Sequence, residues 1–345
     1  MKKFYFLMMA AALLAACDNP LEFNPENKAD ELVLNAHLSA DEQWHTVYVA
    51  LSHTEYVSMV SSGELSCYVN GSLVAKTNTL TLLNDDNPYM SPGKVFTFKA
   101  DFKAGDKVRI EVAADGFKAS NEQIVPDAPT VTKVDTVTVR NRNEGGYVDV
   151  CYRFDTTVKD SDPEDSFFRL TLTDHGESTY YKDDVEIGQA TSDVLRDFWA
   201  DDDPVLNEGH FVADEMPFEI GATNKYGIFT DNMFAGASAT LKPVAGKYSF
   251  GLTGYMDGAD SVKVATTAVV KVYGLSKPYF YYFKALNSLR DGGGDLALED
   301  VQIPDNIDGG IGFIGIANPV SVGFYLGERS YPLVYYGGDY PPLPE

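Results

Sequence analysis

The feature that most constrains the fold of this chain is an alternation of apolar and polar residues with a period of two. In residues 107–112, three aliphatic side chains alternate with three charged ones. Because successive side chains of a strand point to opposite faces, this pattern predicts a half-buried antiparallel strand. Asn70-Gly71 supplies the positive φ angles of a type I′ hairpin turn. Similar strand-like runs occur at residues 32–38, 46–52, 65–69, 131–139, 147–154, 167–173, 247–252 and 262–273.

A proline-rich break at residues 126–129 predicts a domain boundary. The strands before it, over residues 31–127, predict an immunoglobulin-like β-sandwich of about a hundred residues. Residues 128–345 predict a second, larger domain that is also mainly β. The length agrees with this division, since a chain of 345 residues is long enough for about two domains.

Two segments depart from the strand pattern. Residues 278–290 predict a helix, because Pro278 lies near its start, apolar residues follow at spacings of three and four, and three glycines end it. We expect this helix, near residues 279–290, to pack its aromatic stripe against the core. Residues 192–199 predict a shorter helical turn or two. The stripe comprises Tyr279, Tyr282, Phe283, Leu286 and Leu289.

The amino-terminal residues carry the pattern of an exported lipoprotein. A basic start and an uncharged stretch, residues 4–16, predict a signal peptide over residues 1–16. As a helix this stretch is about 20 Å long, too short for a hydrocarbon core of about 30 Å. The small residues before Cys17 resemble a bacterial lipobox, so we expect palmitate or other acyl chains on Cys17. The alternative is an ordinary secreted protein whose cysteine falls there by chance.

The composition limits the partners of the chain. Residues 17–30 are rich in Asn, Pro and Glu and predict a tether between the lipid and the fold. The formal net charge of −24 repels phosphate backbones, so we expect no nucleic-acid partner. Solubility in a crowded envelope is the simplest interpretation of this acidity.

Two cysteines remain in the predicted domains. Alternation places Cys67 on the apolar face of its strand and Cys151 on a polar face, beside Asp149 and Arg153. An exported protein can keep disulfides, but one thiol on each kind of face favours two cysteines that are not joined. The pattern leaves the disulfide open.

Known catalytic and ligand-binding motifs are weak in this chain. Gly310, Gly312 and Gly315 match G-x-G-x-x-G, but the flanking Asn, Asp and Pro predict a turn before a last strand rather than a nucleotide site. We therefore expect no cofactor, no metal and no enzyme activity. Trp199 borders an acidic run and suits a sugar or peptide ligand, although core packing is the favoured interpretation. The weighed groups are His37, His45, His53, His175 and His210, with acidic runs at Asp160, Asp162, Glu164 and Asp165, and at Asp197, Asp201, Asp202, Asp203 and Glu208.

Several segments together resemble one family of lipoproteins from Bacteroidota, catalogued as domain of unknown function 4249. The most specific is residues 306–312, which follow the aromatic helix. The others are Cys17, residues 32–36, 102–108, 125–126, 281–289 and 304–312. The resemblance implies an accessory lipoprotein of the outer membrane that acts beside a TonB-dependent nutrient transporter.

The resemblance also has implications for the localisation of the protein and for its covalent modification. Acidic residues after Cys17 resemble a signal for export to the cell surface, and the periplasmic face stays open. The pattern Asp-Ser/Thr-apolar implies O-glycosylation at Thr136 and Ser261, and more loosely at Thr156. With the missing catalytic motifs, these points favour a non-enzymatic binding or accessory protein. A structural or adhesive surface lipoprotein is the alternative, and an envelope hydrolase is the third.

Overall fold

The structure is a computed structural model. It describes residues 30–54, 56–83, 93–142, 148–160, 165–200, 203–207, 224–251, 254, 256–291 and 302–333. Over these residues the chain is mainly β, with three sheets and one long helix. The predicted fold class is therefore confirmed.

The helices are α1 (Pro204–Asn207) and α2 (Lys277–Asp291), and α2 confirms the predicted helix. The strands are β1 (Glu31–Ser39), β2 (Trp44–Ser52), β3 (Val57–Ser58), β4 (Gly63–Val69), β5 (Ser72–Thr77), β6 (Leu80–Leu82), β7 (Lys94–Lys99), β8 (Lys107–Ala114), β9 (Phe117–Ile124), β10 (Thr130–Arg142), β11 (Val148–Lys159), β12 (Phe167–Lys182), β13 (Val185–Arg196), β14 (Ile228–Thr230), β15 (Ser238–Leu241), β16 (Val244–Gly246), β17 (Ser261–Leu275) and β18 (Gly310–Pro332).

The first sandwich is immunoglobulin-like. One of its layers has the order β1-β2-β7-β6, and the other has the order β5-β4-β8-β9. These orders match the A-B-E-D and C′-C-F-G sheets of that architecture. The core lies between the two layers, and Ile314 and Ile316 of β18 complete it from the far end of the chain. Asn70 and Gly71 have φ angles of 51° and 80°, which confirms the predicted β4–β5 hairpin.

The second sandwich shares a sheet with the first. The large sheet has the order β13-β12-β17-β18-β1-β2-β7-β6, and a smaller sheet of β10, β11, β15 and β16 packs on its β12-β17-β18 part. Phe154, Leu170 and Phe250 are among the buried residues of this second core. The predicted boundary at residues 126–129 lies between the two cores, and its status as a domain boundary stays a prediction.

The last strand, β18, runs through both sandwiches. It pairs in parallel with β1 from Leu32↔Gly310 to Ser39↔Ala317 and then continues beside β17. Its 23 residues extend about 70 Å at the usual rise of about 3.3 Å per residue. The chain enters the sheet at the Gly310 end of this strand. The β12–β13 turn lies at the opposite end, because Tyr181 is in register with Ser261 and Ser261 with Pro332. We call this opposite end, residues 180–186 with 256–262 and 331–333, the hairpin end.

Two predicted elements are wrong. Residues 192–199, predicted as helical turns, lie largely in β13, because eleven cross-strand pairs with β12 outweigh a weak local preference. Residues 247–252 were predicted as a strand, but Lys247–Ser249 form a 3-10 turn. Gly251 has a positive φ of 76°, and this bend turns Phe250 into the core, where it is 1% exposed.

Candidate functional site

The residues with predicted modifications differ in accessibility. Cys17 lies outside the described residues. Thr156 is fully buried and its hydroxyl donates to the Phe154 carbonyl oxygen at 3.1 Å. The hydroxyl oxygen of Thr136 is also buried. Ser261 lies at the hairpin end, where its hydroxyl is exposed and donates to Asp260 at 3.1 Å.

These positions predict where a sugar is attached if the chain is O-glycosylated. We expect modification at Ser261 and none at Thr136 or Thr156, since a buried hydroxyl cannot reach a transferase in the folded state. Glycopeptide mass spectrometry of the native protein measures this, and Ser261→Ala should abolish the mass shift. Sugar found on Thr156 would contradict the expectation.

Both cysteines are buried, and no disulfide joins them. Burial raises the pKa of the Cys67 thiol to about 12, so this thiol stays protonated and unreactive at neutral pH. Cys151 lies on the predicted face of β11, with Asp149 and Arg153, but it is fully buried there. Val139 and Gly246 flank it on the neighbouring strands. The two thiols are therefore no candidates for catalysis.

The segment that carried most of the family resemblance, residues 306–312, joins the two ends of the chain. The Asn306 side chain donates to the Ile314 carbonyl oxygen at 2.9 Å and accepts from the Ile314 amide at 3.0 Å. Asn121 of β9 donates to the Asn306 carbonyl oxygen at 2.7 Å. In β1, the Asn35 side chain accepts from the Phe313 amide at 3.0 Å. These contacts hold β18 in the first sandwich, so the segment has a structural role.

The predicted last strand is confirmed as β18, but Gly310, Gly312 and Gly315, which were expected in the turn before it, lie within the strand. A Cβ on Gly315 would lie 2.5 Å from the Tyr279 ring, and one on Gly310 would lie 2.5 Å from the Leu32 carbonyl oxygen. Gly312 has a φ of 119° and approaches the Leu34 carbonyl oxygen. The three glycines therefore let β1 and α2 pack closely on β18.

A group of perturbed ionisable residues lies where α2 meets the large sheet. The Tyr279 hydroxyl lies 2.7 Å from His37 Nδ1. The guanidinium of Arg169 lies 4.6 Å from the Phe283 ring, and its Nε donates to the Tyr226 carbonyl oxygen at 3.0 Å. Burial, with a smaller effect from the Arg169 charge, lowers the pKa of His37 to about 4. Burial also raises the pKa of Tyr279 and lowers that of Arg169.

This group makes stability depend on pH. The folded state holds His37 with a lower pKa than the unfolded state, so its contribution is complete above about pH 6.5 and is lost as the pH falls toward 4. We expect His37→Gln to reduce this loss; buried His45, whose pKa burial also lowers, keeps its own share. The His37 residue is exposed to solvent, while its ring stacks on Tyr279 and Phe283. NMR titration of that ring measures its pKa directly and is therefore the sharper measurement. A midpoint near 6.5 would contradict the expectation.

The predicted acidic runs divide between a cleft and structural roles. Asp160 and Asp165 line a cleft of about 480 Å³ between residues 126–130, which connect the two sandwiches, and residues 274–275 of the second sandwich. Burial raises the pKa of nearby Asp231, and the charges of Asp160 and Asp165 add to the effect. Asp203 is buried and caps α1 by accepting the amides of residues 205 and 206. The predicted residues outside the described parts are Asp162, Glu164, Asp201, Asp202, Glu208 and His210.

A second open groove, of about 450 Å³, lies on the outer face of the β5-β4-β8-β9 sheet. Four of its charged side chains form two pairs, since Lys76 contacts Glu64 at 2.8 Å and Arg109 contacts Glu111. The Arg109 guanidinium also lies over the Tyr68 ring. Within the described residues, no three His, Cys, Asp or Glu side chains are arranged to hold a metal ion.

Two of the strongly exposed apolar side chains lie on one edge strand, β13, and Trp199 lies just beyond its end. Trp199, expected in the core, is 47% exposed; its backbone pairs with Val244 and its ring lies beside Gly246. Strand β13 forms one edge of the large sheet, and Val185 and Leu195 on it are 65% and 61% exposed. The sequence carried no signal for this edge, because a strand exposed on both faces has no apolar periodicity.

Comparison with known families decides the relationship of the chain. The model of a domain of unknown function, DUF4249, matches residues 18–322. The chain belongs to the DUF4249 family. This DUF4249 protein was also compared with curated proteins, and nothing matched. No described helix is long and apolar enough to cross a membrane.

Among solved structures, this DUF4249 protein is similar to one titled "Biofilm associated protein - BSP domain", with 7% identity and a TM-score of 0.17. The match covers 85% of this chain, and the chain spans 58% of the length of that structure. A TM-score this low supports no conclusion about fold or function. The origin from Bacteroidota stays a prediction.

Proposed function

We propose that this DUF4249 protein is a non-enzymatic lipoprotein of the outer membrane that acts beside a TonB-dependent nutrient transporter. The lipid on Cys17 fixes it to the membrane, and residues 17–30 form the tether. The hairpin end of the fold then contacts a neighbouring membrane protein. The exposed cell surface is the favoured side.

The observation that supports this proposal is the path of β1 and β18. Both strands begin at the end of the sheet where the chain arrives from the tether. Strand β18 then crosses both sandwiches and ends at the hairpin end, about 70 Å along the strand. This reach lets the hairpin end lie over a neighbouring protein while the anchor remains beside it.

Strand β18, which both sandwiches share, would also suit a protein that acts as a spacer. A structural or adhesive lipoprotein is therefore the second candidate. The two functions differ in what deletion of the protein changes. If the protein has an accessory role, deletion should slow nutrient uptake and leave cell adhesion normal. If it has an adhesive role, deletion should weaken cell adhesion and leave nutrient uptake normal.

The test is purification of the full-length tagged protein from detergent-solubilised membranes, with Cys17→Ser as the matched variant. We expect a β-barrel transporter in fixed proportion to the native protein, and its loss from the variant. Mass spectrometry of the mature native terminus should show fatty acid on Cys17. A lipidated protein that purifies without a barrel partner would contradict the proposal.

A further inference from the structure

The outer edge of β13 has the features of an uncovered binding strand. It is twelve residues long, and in the described structure it pairs only with β12. Most of its side chains are exposed, and Val185, Ile187 and Leu195 are apolar. An edge strand offers a row of unpaired backbone amides and carbonyl groups to another chain.

The other described edges carry features that block pairing. Lysines occur in β5, β9 and β10, at Lys76, Lys118 and Lys133, and β6, β15 and β16 have only three or four residues. Lysine, proline, short length, bulges and inward-pointing charges are the usual protections of an edge. Strand β13 has one bulge, at Ile187, and one inward-pointing charge, Arg196, which contacts buried Asp174 at 2.7 Å. Among the described edges, β13 is nevertheless the longest that has neither lysine nor proline, and residues 188–195 between the bulge and Arg196 pair regularly with β12 on one side only.

The charge around this edge indicates what kind of strand fits it. Within residues 177–195 the one lysine or arginine is Lys182. His175 lies 2.8 Å from Asp193 and 3.8 Å from Glu177, so its ring offsets part of the negative charge when it is protonated. The surface that remains favours a cationic segment and repels an acidic one. The exposed carboxylates are Glu177, Asp183, Asp184, Glu186 and Asp193.

We propose that β13 accepts an extended segment of a partner protein, in which apolar residues alternate with lysine or arginine. The segment adds an eleventh strand to the ten-stranded sheet. Backbone hydrogen bonds supply the affinity, and the apolar and acidic side chains of the edge select the sequence. This inference rests on the proposed accessory role and names the surface that such a role would use.

The experiment uses the full mature protein in detergent and a labelled ten-residue peptide that alternates valine with lysine. We expect binding, measured by fluorescence anisotropy, and slower hydrogen exchange in β13. Leu195→Lys should weaken binding by roughly tenfold, because it adds a like charge to the edge. The matched control is Leu73→Lys on the β5 edge, since Leu73 is similarly exposed at 53%, and it should leave binding unchanged.

Two further peptides separate strand pairing from simple charge attraction. A peptide with alternate N-methylated amides cannot form the backbone ladder and should not bind. Replacement of the lysines by glutamate should also abolish binding. Equal binding of the N-methylated peptide, equal weakening by Leu73→Lys, or no binding of the lysine peptide would each overturn the proposal.

A second copy of this chain is the other occupant that the experiments distinguish. Light scattering that shows a dimer, dissolved by Leu195→Lys, would assign the edge to a second copy and overturn the proposal. Failure of the peptide experiment leaves the transporter role intact, because that role is judged by co-purification from membranes. If the peptide binds but no β-barrel protein co-purifies, the transporter role is rejected, and the proposal that β13 accepts an added strand is supported.

Discussion

Gly312→Ala is expected to lower the free energy of unfolding by about 3 kcal/mol or more. The residue has a φ of 119°, and a Cβ there would lie 2.2 Å from the Leu34 carbonyl oxygen. The backbone of β1 cannot move without breaking its pairing with β18. The clash is therefore expected to separate these two strands.

Gly327→Ala is the matched control for this change. Gly327 lies in the same strand with a φ of 117°, and a methyl group added there would meet nothing within 4 Å. It should cost about 1 to 3 kcal/mol through backbone strain alone. Urea unfolding of both variants measures the difference. Equal destabilisation would show that β1 and β18 are not packed as closely as described.

Asp174→Ala is expected to destabilise the fold by about 3 to 5 kcal/mol, because it leaves Arg196 buried without its partner. The Asp174 carboxylate accepts from Arg196 Nη2 at 2.7 Å and from the Gly251 amide at 2.9 Å. The Asp174 and Arg196 side chains are only 2% and 13% exposed. Loss of this carboxylate therefore removes the contact to Arg196 at the end of β13 and the contact to the turn at Gly251 together.

Two variants separate this buried pair from ordinary surface charge. Glu64→Ala breaks the exposed contact with Lys76 and should cost less than about 1 kcal/mol. The double variant Asp174→Leu with Arg196→Met should recover much of the loss, since apolar groups of similar volume need no charged partner. A loss for Asp174→Ala no larger than for Glu64→Ala would contradict the buried ion pair.

The sequence predicted the strands whose two faces differ and missed the features that depend on distant residues. Alternation was enough for β8 and β17, because one face of each is buried. It could not show that β1 pairs in parallel with β18, since residues such as Asn35 and Phe313 are brought together only by the complete fold. The sequence identified residues 306–312 as a family feature. Their structural role, to hold β18 in the first sandwich, became clear only from the contacts of Asn306.

The candidate surface was harder to predict than the fold. Strand β13 is exposed on both faces and therefore has no periodicity, so its residues were partly assigned to a helix. Cys151 was placed on the correct side of β11, but the burial of that side depends on the neighbouring strands. The position of Trp199 likewise depends on its pairing with the distant Val244.

Cross-linking mass spectrometry on intact outer membranes tests the central claim most directly. Lys182 lies at the hairpin end, far from the Gly310 end where the tether enters. The proposed role predicts cross-links from Lys182 to a β-barrel transporter, and their loss when Cys17→Ser removes the anchor. Cross-links from Lys182 confined to its own chain, in membranes where the native protein is lipidated and abundant, would contradict it.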